Sequence, residues 1–311
     1  DSMPGSPTAT NLALYVFDRS SGTATFIDGS DTYGYNSIIS GDGSTLAYVS
    51  FDSALSSDGS SNFTGGVVYD VAGDSKEVIV QDSSWNESAI RDVSVDGGYV
   101  TFKGLYQSSE HQICIWDNTS STVELISVTD SGSPSDTSDY LNNLGGSISD
   151  DGNLVAFSST AEIISGTHNG KRQIYLRDRL AGTTTLVSKT STGAPGDSHS
   201  KAEMISGNGK YISFLSDADN LREDIVSGCT DVDYSIGQYD VFVYSIETDE
   251  LTAVSLFVDG ATGAFSGGSL YPTISDDGTV VVFAIAPLYS GTLTGENTGK
   301  ERDIYRATLN W

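Results

Sequence analysis

The stretch Ile148-Ser149-Asp150-Asp151-Gly152-Asn153-Leu154-Val155-Ala156-Phe157 decides the fold class. Asp-Gly stands between two β-prone runs, and Gly tolerates the positive φ that tight hairpin turns demand. The same pattern, apolar-Ser-x-(Asp/Asn)-Gly, opens at Ile39, Val93, Ile148, Ile205 and Ile274. The repeat serines are Ser40, Ser94, Ser149, Ser206 and Ser275, spaced 54, 55, 57 and 69 residues apart. An apolar alternating run follows each copy: Leu46–Val49, Tyr99–Phe102, Leu154–Phe157, Tyr211–Phe214 and Val280–Phe283. Five copies at near-constant spacing indicate a repeat architecture.

A third run follows each hairpin after a variable loop, as in Ile174-Tyr175-Leu176-Arg177-Asp178 and Val241–Tyr244. A short polar turn then leads to a fourth, such as Thr185–Ser188 or Leu251–Val254. Four antiparallel strands in about 45 to 60 residues make a β-propeller blade. The expected fold is all-β, one propeller over residues 1–311, with repeats at roughly 33–81, 88–128, 144–189, 201–257 and 269–309. Leu14–Asp18 resembles a third strand and Thr23–Ile27 a fourth, so strands within 12–27 are expected to close the ring. Five blades are favoured; six, with a first blade lacking its inner hairpin, is the alternative.

Ser-x-Asp-Gly, then Phe157-Ser158-Ser159, then Ile-Tyr-x-x-Asp at Ile174–Asp178, resembles the TolB-like propeller repeat of secreted and periplasmic bacterial proteins. The resemblance runs from about Leu12 to Leu309. It implies a propeller used as a scaffold, a binding module or the propeller half of a hydrolase, in a secreted, cell-surface or periplasmic setting.

Composition narrows the partners. Fifteen Lys+Arg stand against 42 Asp+Glu, a net charge of −27 over 311 residues. Such a surface repels nucleic-acid phosphates and anionic lipid. No apolar run approaches the roughly 18 residues of a membrane helix, so neither nucleic acid nor membrane insertion is expected. Of the two cysteines, Cys114 lies in an apolar run and Cys229 in a polar loop, which suits a buried free thiol and a loop thiol.

Connectivity places function on one end of the blades. The turns inside the hairpins are tight. The connections at the other end are long: about Phe51–Gly65, Ser159–Arg172, Ser216–Gln238 and Pro287–Arg302, with Thr129–Asn143 and Thr190–Lys201 between repeats. Long loops on a rigid frame commonly carry binding residues. The loop from Ser216 is acid-rich, and the pairs Asp217/Asp219 and Asp231/Asp233 offer the hard oxygen ligands that Ca²⁺ takes. Arg91 and Glu203 stand three residues before a repeat serine, where other repeats carry Ser37, Gly146 and Pro272. They are candidates for the channel, and Tyr35, His199, Lys201 and Tyr271 for a polar-aromatic rim at its mouth.

Gly-x-Ser-x-Gly, His-Glu-x-x-His and phosphate-loop motifs are absent. The expectation is a binding or scaffold module for protein or polysaccharide. The alternative is a carbohydrate-active enzyme, a lyase or glycoside hydrolase, with its site at the channel mouth.

Overall fold

The computed structural model describes residues 13–29, 37–50, 52–56, 64–82, 89–105, 111–135, 145–167, 169–221, 239–255, 269–285 and 303–309. Among them are antiparallel strands and two single 3-10 turns, Ser53–Leu55 and Asp219–Leu221, with no α-helix. No helix among the described residues is long and apolar enough to cross a membrane. The chain divides into two compact units, Asp1–Leu125 and Ile126–Trp311.

The first unit holds three sheets. Among the described residues, strands β1 (Leu14–Asp18) and β2 (Thr23–Asp28) pair only with each other. Strands β3 (Ile38–Ile39), β4 (Thr45–Ser50), β5 (Thr64–Asp70) and β6 (Ser75–Asp82) form a four-stranded meander. A second meander contains β7 (Ala89–Val93), β8 (Tyr99–Leu105), β9 (His111–Asp117) and β10 (Thr122–Leu125). Strand β4 is buried on both faces. Leu46 and Tyr48 pack with Ile27, Val67 and Tyr69. Ala47 and Val49 face the next sheet with Ile90, Phe102, Cys114 and Trp116. The period-two alternation of a strand therefore divides its apolar residues between two cores. Cys114 is a buried free thiol, and burial pushes it up to about 12.

The second unit repeats this scheme with β11 (Ser147–Ile148), β12 (Leu154–Ser159), β13 (Gln173–Asp178) and β14 (Thr183–Leu186). Next come β15 (Ser200–Ile205), β16 (Tyr211–Ser216), β17 (Asp240–Ser245) and β18 (Glu250–Ala253). Strands β19 (Ser269–Ile274), β20 (Val280–Ile285) and β21 (Asp303–Thr308) form a three-stranded sheet. Phe214 and Phe242 stack at 5.6 Å in the core shared with Ala156, Ile174 and Leu176. Leu215, Val241 and Val243, on the opposite face, pack with Val281 and Phe283.

The five repeat motifs build one turn. Each serine hydroxyl donates to the Asp or Asn two residues on: Ser40 to Asp42, Ser94 to Asp96, Ser149 to Asp151, Ser206 to Asn208 and Ser275 to Asp277, at 2.6 to 2.8 Å. The same oxygen accepts the N–H of the first residue of the next strand, as Thr45, Tyr99, Leu154, Tyr211 and Val280 show. The turn glycines Gly43, Gly97, Gly152, Gly209 and Gly278 all have φ near +70°. Neighbouring turns are joined. Asp42 N–H donates to Val95 O, Asp150 N–H to Gly207 O and Asn208 N–H to Asp276 O. The Asn208 side-chain amide adds a bond to Asp277 O at 3.0 Å.

The N-terminal strands form their own sheet on the β3–β6 sheet, with Leu14 and Val16 against its core. Among the described ladders they add no strand to β21.

Candidate functional site

Within each meander the tight turns lie at one end and the long connections at the other. In the second unit that other end is cross-tied. The connection from β10 to β11 turns back on itself: Val128 bridges Pro134, and Ser135 N–H donates to Ser127 O. The connection from β14 to β15 repeats this with Lys189 and Pro195, and Gly196 N–H donates to Ser188 O. Both small hairpins dock on the connection between the second and third strands of the following sheet. Asp130 N–H donates to Ile163 O, and Asp130 Oδ2 accepts Ser165 N–H. Asn220 accepts Asp197 N–H at 2.9 Å and donates to Pro195 O at 3.0 Å. The Asn169 and Gln173 amides both donate to Gly196 O. The result is a hydrogen-bonded platform.

A mixed polar group stands at the edge of this platform. Strand register pairs Ser200 with Ser216 and Ser216 with Asp240. One residue further out, the same register aligns His199, Asp217 and Tyr239, and Asp217 N–H donates to His199 O at 3.1 Å. Tyr239 packs on the cluster that holds Leu215, Val281 and Phe283 of the following sheet, whereas His199 reaches back to Arg172 beside the preceding sheet. Lys201 Nζ lies 3.7 Å from the centre of the Tyr239 ring, a cation–π contact. His199 Nδ1 accepts the Arg172 N–H at 3.1 Å, which leaves the proton of the neutral ring on Nε2. Asp217 Oδ1 is buried, with no hydrogen-bond partner among the described residues. Lys201 has no carboxylate partner among the described residues.

Of the residues the sequence singles out, His199 and Lys201 flank Ser200 at the start of β15 and have separate partners, Arg172 and Tyr239. Asp217 meets His199 through the backbone, and Asp219 is exposed at the start of a 3-10 turn. Tyr35, Asp231 and Asp233 lie outside the described residues. Tyr271 lies on β19. Among the described residues, no group of three or more His, Cys, Asp or Glu side chains is placed to hold a metal ion.

Arg91 and Glu203 share a structural cause. The ladders slip by one residue between Ile90 and Asp92, between Lys201 and Met204, and between Leu270 and Thr273. The position three before the repeat serine is thus a β-bulge in three sheets, and bulges re-aim side chains. In the other two, β3 and β11 begin only after it. Ala202 beside Glu203 has φ +56°, uncommon for a residue with a Cβ. Glu203 is 4% exposed, with its carboxylate against Gly145: a Cβ there would lie 1.7 Å from Oε1. Tyr239 and the Arg172 backbone were not legible as site components. Counting register back from Asp240 is the signal that exposes Tyr239.

No protein-family model matches the chain, and no curated protein is significantly similar to it. Many solved structures share its fold. TolB from Acinetobacter baumannii is 18% identical with a TM-score of 0.51, covering 88% of this chain and 57% of its own. The β-propeller domain of the trilobed protease from Pyrococcus furiosus is 12% identical with a TM-score of 0.56, covering 96% of this chain and 75% of that one. Oligogalacturonate lyase from Vibrio parahaemolyticus is 15% identical with a TM-score of 0.51, covering 96% and 72%. The chain thus spans little more than half the length of the first of these. What they share with it is the arrangement of antiparallel sheets.

Proposed function

Taking the TolB-like β-propeller fold as the premise, we propose that this chain is an extracytoplasmic binding or scaffold module. Its partner, protein or polysaccharide, docks on the long-connection end of the sheets. One observation carries this reading: the connections at that end are tied to each other through Asp130, Asp197, Asn220 and Gln173. Preordered loops bind without a large ordering cost. A panel of polysaccharides and of envelope and secreted proteins tests it, with the wild-type chain compared against Asn220→Ala and Lys201→Met. Binding that neither variant weakens overturns the reading.

A carbohydrate-active enzyme is the second reading, favoured by the His199 imidazole and the Lys201 ammonium at the long-connection end of β15. Release of reducing ends or unsaturated products, abolished in His199→Gln, supports it; a panel without turnover removes it.

Calcium belongs to the same proposal. Asp217 and Asp219, with Asp231 and Asp233, would supply carboxylate oxygens. Millimolar Ca²⁺ must then raise the thermal midpoint above that in EDTA, and an unmoved midpoint rejects the ion. The finer architecture, five blades closed into a ring by the N-terminal strands or six, is also a proposal. The separate β1–β2 sheet favours the larger count. Class averages of electron micrographs, counting lobes, decide between them.

A further inference from the structure

We propose that the outer edge of β21 receives one extended segment of a partner protein, which pairs with it antiparallel as a fourth strand. This goes beyond the reading of the long-connection end and does not depend on it. The two preceding sheets show what such a place accepts. Strand β14 lies along β13 and β18 along β17, whereas among the described residues no strand lies along the outer edge of β21. Both fourth strands run on into an apolar-Ser pair, Val187-Ser188 and Val254-Ser255, and the two pairs dock alike. Val187 N–H donates to Ile174 O at 2.8 Å, and Val254 N–H to Val241 O at 2.7 Å. In return, Ile174 N–H donates to Ser188 Oγ at 2.9 Å, and Val241 N–H to Ser255 Oγ at 3.1 Å.

Register carries this docking place to β21. Tyr305 pairs with Phe283 as Tyr175 pairs with Phe157 and Phe242 with Phe214, so Ile304 holds the position of Ile174 and Val241. Alternate residues of an antiparallel strand turn their N–H and C=O to opposite sides. Leu309 N–H donates to Thr279 O, as Arg179 N–H does to Asn153 O and Ile246 N–H to Lys210 O. The odd-numbered residues of β21 therefore face β20, and Ile304, Arg306 and Thr308 aim their backbone groups at the open edge. That edge is accessible: Ile304 is 79% exposed, and Arg306 and Thr308 are exposed as well. An unpaired, exposed edge is a template for another strand. The sibling strands define the occupant. Opposite the aromatic they place a buried apolar residue, Leu186 or Ala253, and Val-Ser follows it. A second copy of this chain would bring a like charge of −27 to the contact, so an unlike protein is the fitting occupant.

The test titrates the full chain into a labelled peptide, Glu-Leu-Thr-Ala-Val-Ser, the sequence of residues 250–255, as the probe. Fluorescence anisotropy shows binding below about 1 mM, and amide exchange slows at residues 304, 306 and 308. Methylating the peptide's Val nitrogen, which faces the edge, weakens binding about fivefold or more, the scale of one hydrogen bond. Methylating its Ala nitrogen, which faces away, changes binding less than about twofold. Ile304→Pro removes only an outward N–H, which an edge strand tolerates, and weakens binding about fivefold or more with the thermal midpoint kept. No binding up to about 1 mM, or equal losses from the two methylations, overturns the proposal. Slow exchange at those three amides in the chain alone means that the edge is already filled and overturns it too; a dimer in sedimentation then identifies a second copy as the occupant. Peptide binding lost in Asn220→Ala would move the contact to the long-connection end, against this inference. The reading of that end stands or falls on its own binding panel.

Discussion

Gly278 answers two separate demands. Its φ of +72° favours a residue without a Cβ, and a Cβ there would lie 2.1 Å from the Tyr211 ring of the preceding repeat. Gly97 meets Thr45 in the same way, at 2.2 Å. Gly43 has a similar φ but nothing within 4 Å. Gly43→Ala should therefore cost about 1 kcal/mol, the strain alone, and Gly278→Ala about 3 kcal/mol or more, strain plus displaced packing. Denaturant unfolding of the two variants measures the gap, and equal costs would contradict the account. The repeat spacing revealed the positive-φ requirement. It did not reveal the packing, because which side chain meets which glycine depends on how successive sheets are stacked.

Asp277, in the last of these turns, adds a pH signature. The Ser275 hydroxyl, then the Thr279 N–H and hydroxyl, lower the Asp277 carboxyl from 3.8 to about 2. A depressed carboxyl stabilises the fold fully above its unfolded value and loses that contribution as pH falls through about 2. The window is thus roughly pH 4 to 2. Ser275→Ala should move the Asp277 midpoint, followed by carboxyl NMR, up towards the ordinary value; an unchanged midpoint refutes the hydroxyl as the cause.

At the scale of elements, the hairpins and meanders were legible because alternation and Asp-Gly turns are local signals. The bulges in β7, β15 and β19 at Arg91, Glu203 and Pro272 were not, although unusual residues at that position were visible. A bulge is a mismatch between two strands, and neither strand records it alone. The small hairpins at Ser127–Ser135 and Ser188–Gly196 carry no local signal beyond that of a loop, since their ties run to other segments. Asn220 is the clearest of these ties. Asn220→Ala removes its side-chain bonds to Asp197 and Pro195, at a cost of about 1–2 kcal/mol. Amide exchange over residues 190–199 should quicken while β16 and β17 stay protected. Uniform acceleration would mean that Asn220 serves the sheet rather than the loop.

For the whole molecule, charge is the dominant sequence-level fact. With 42 acids against 15 bases, repulsion among surface charges opposes the folded state. Salt screens it, so the thermal midpoint should rise from about 10 mM to about 150 mM NaCl, as the Debye length falls from about 30 to 8 Å. A falling midpoint would show that ion pairs outweigh the repulsion. All-β architecture and the propeller-like sheets were readable at this scale; the separate β1–β2 sheet was not, because Leu14–Asp18 and Thr23–Ile27 carry the same patterns whichever sheet they join.

Function at the long-connection end is the central claim, and amide exchange with and without the protein or polysaccharide retained in the binding panel tests it most directly. The account predicts new protection within residues 161–173, 190–201 and 217–221, and none at the tight turns 41–44, 150–153, 207–210 and 276–279. Protection confined to those turns would contradict it.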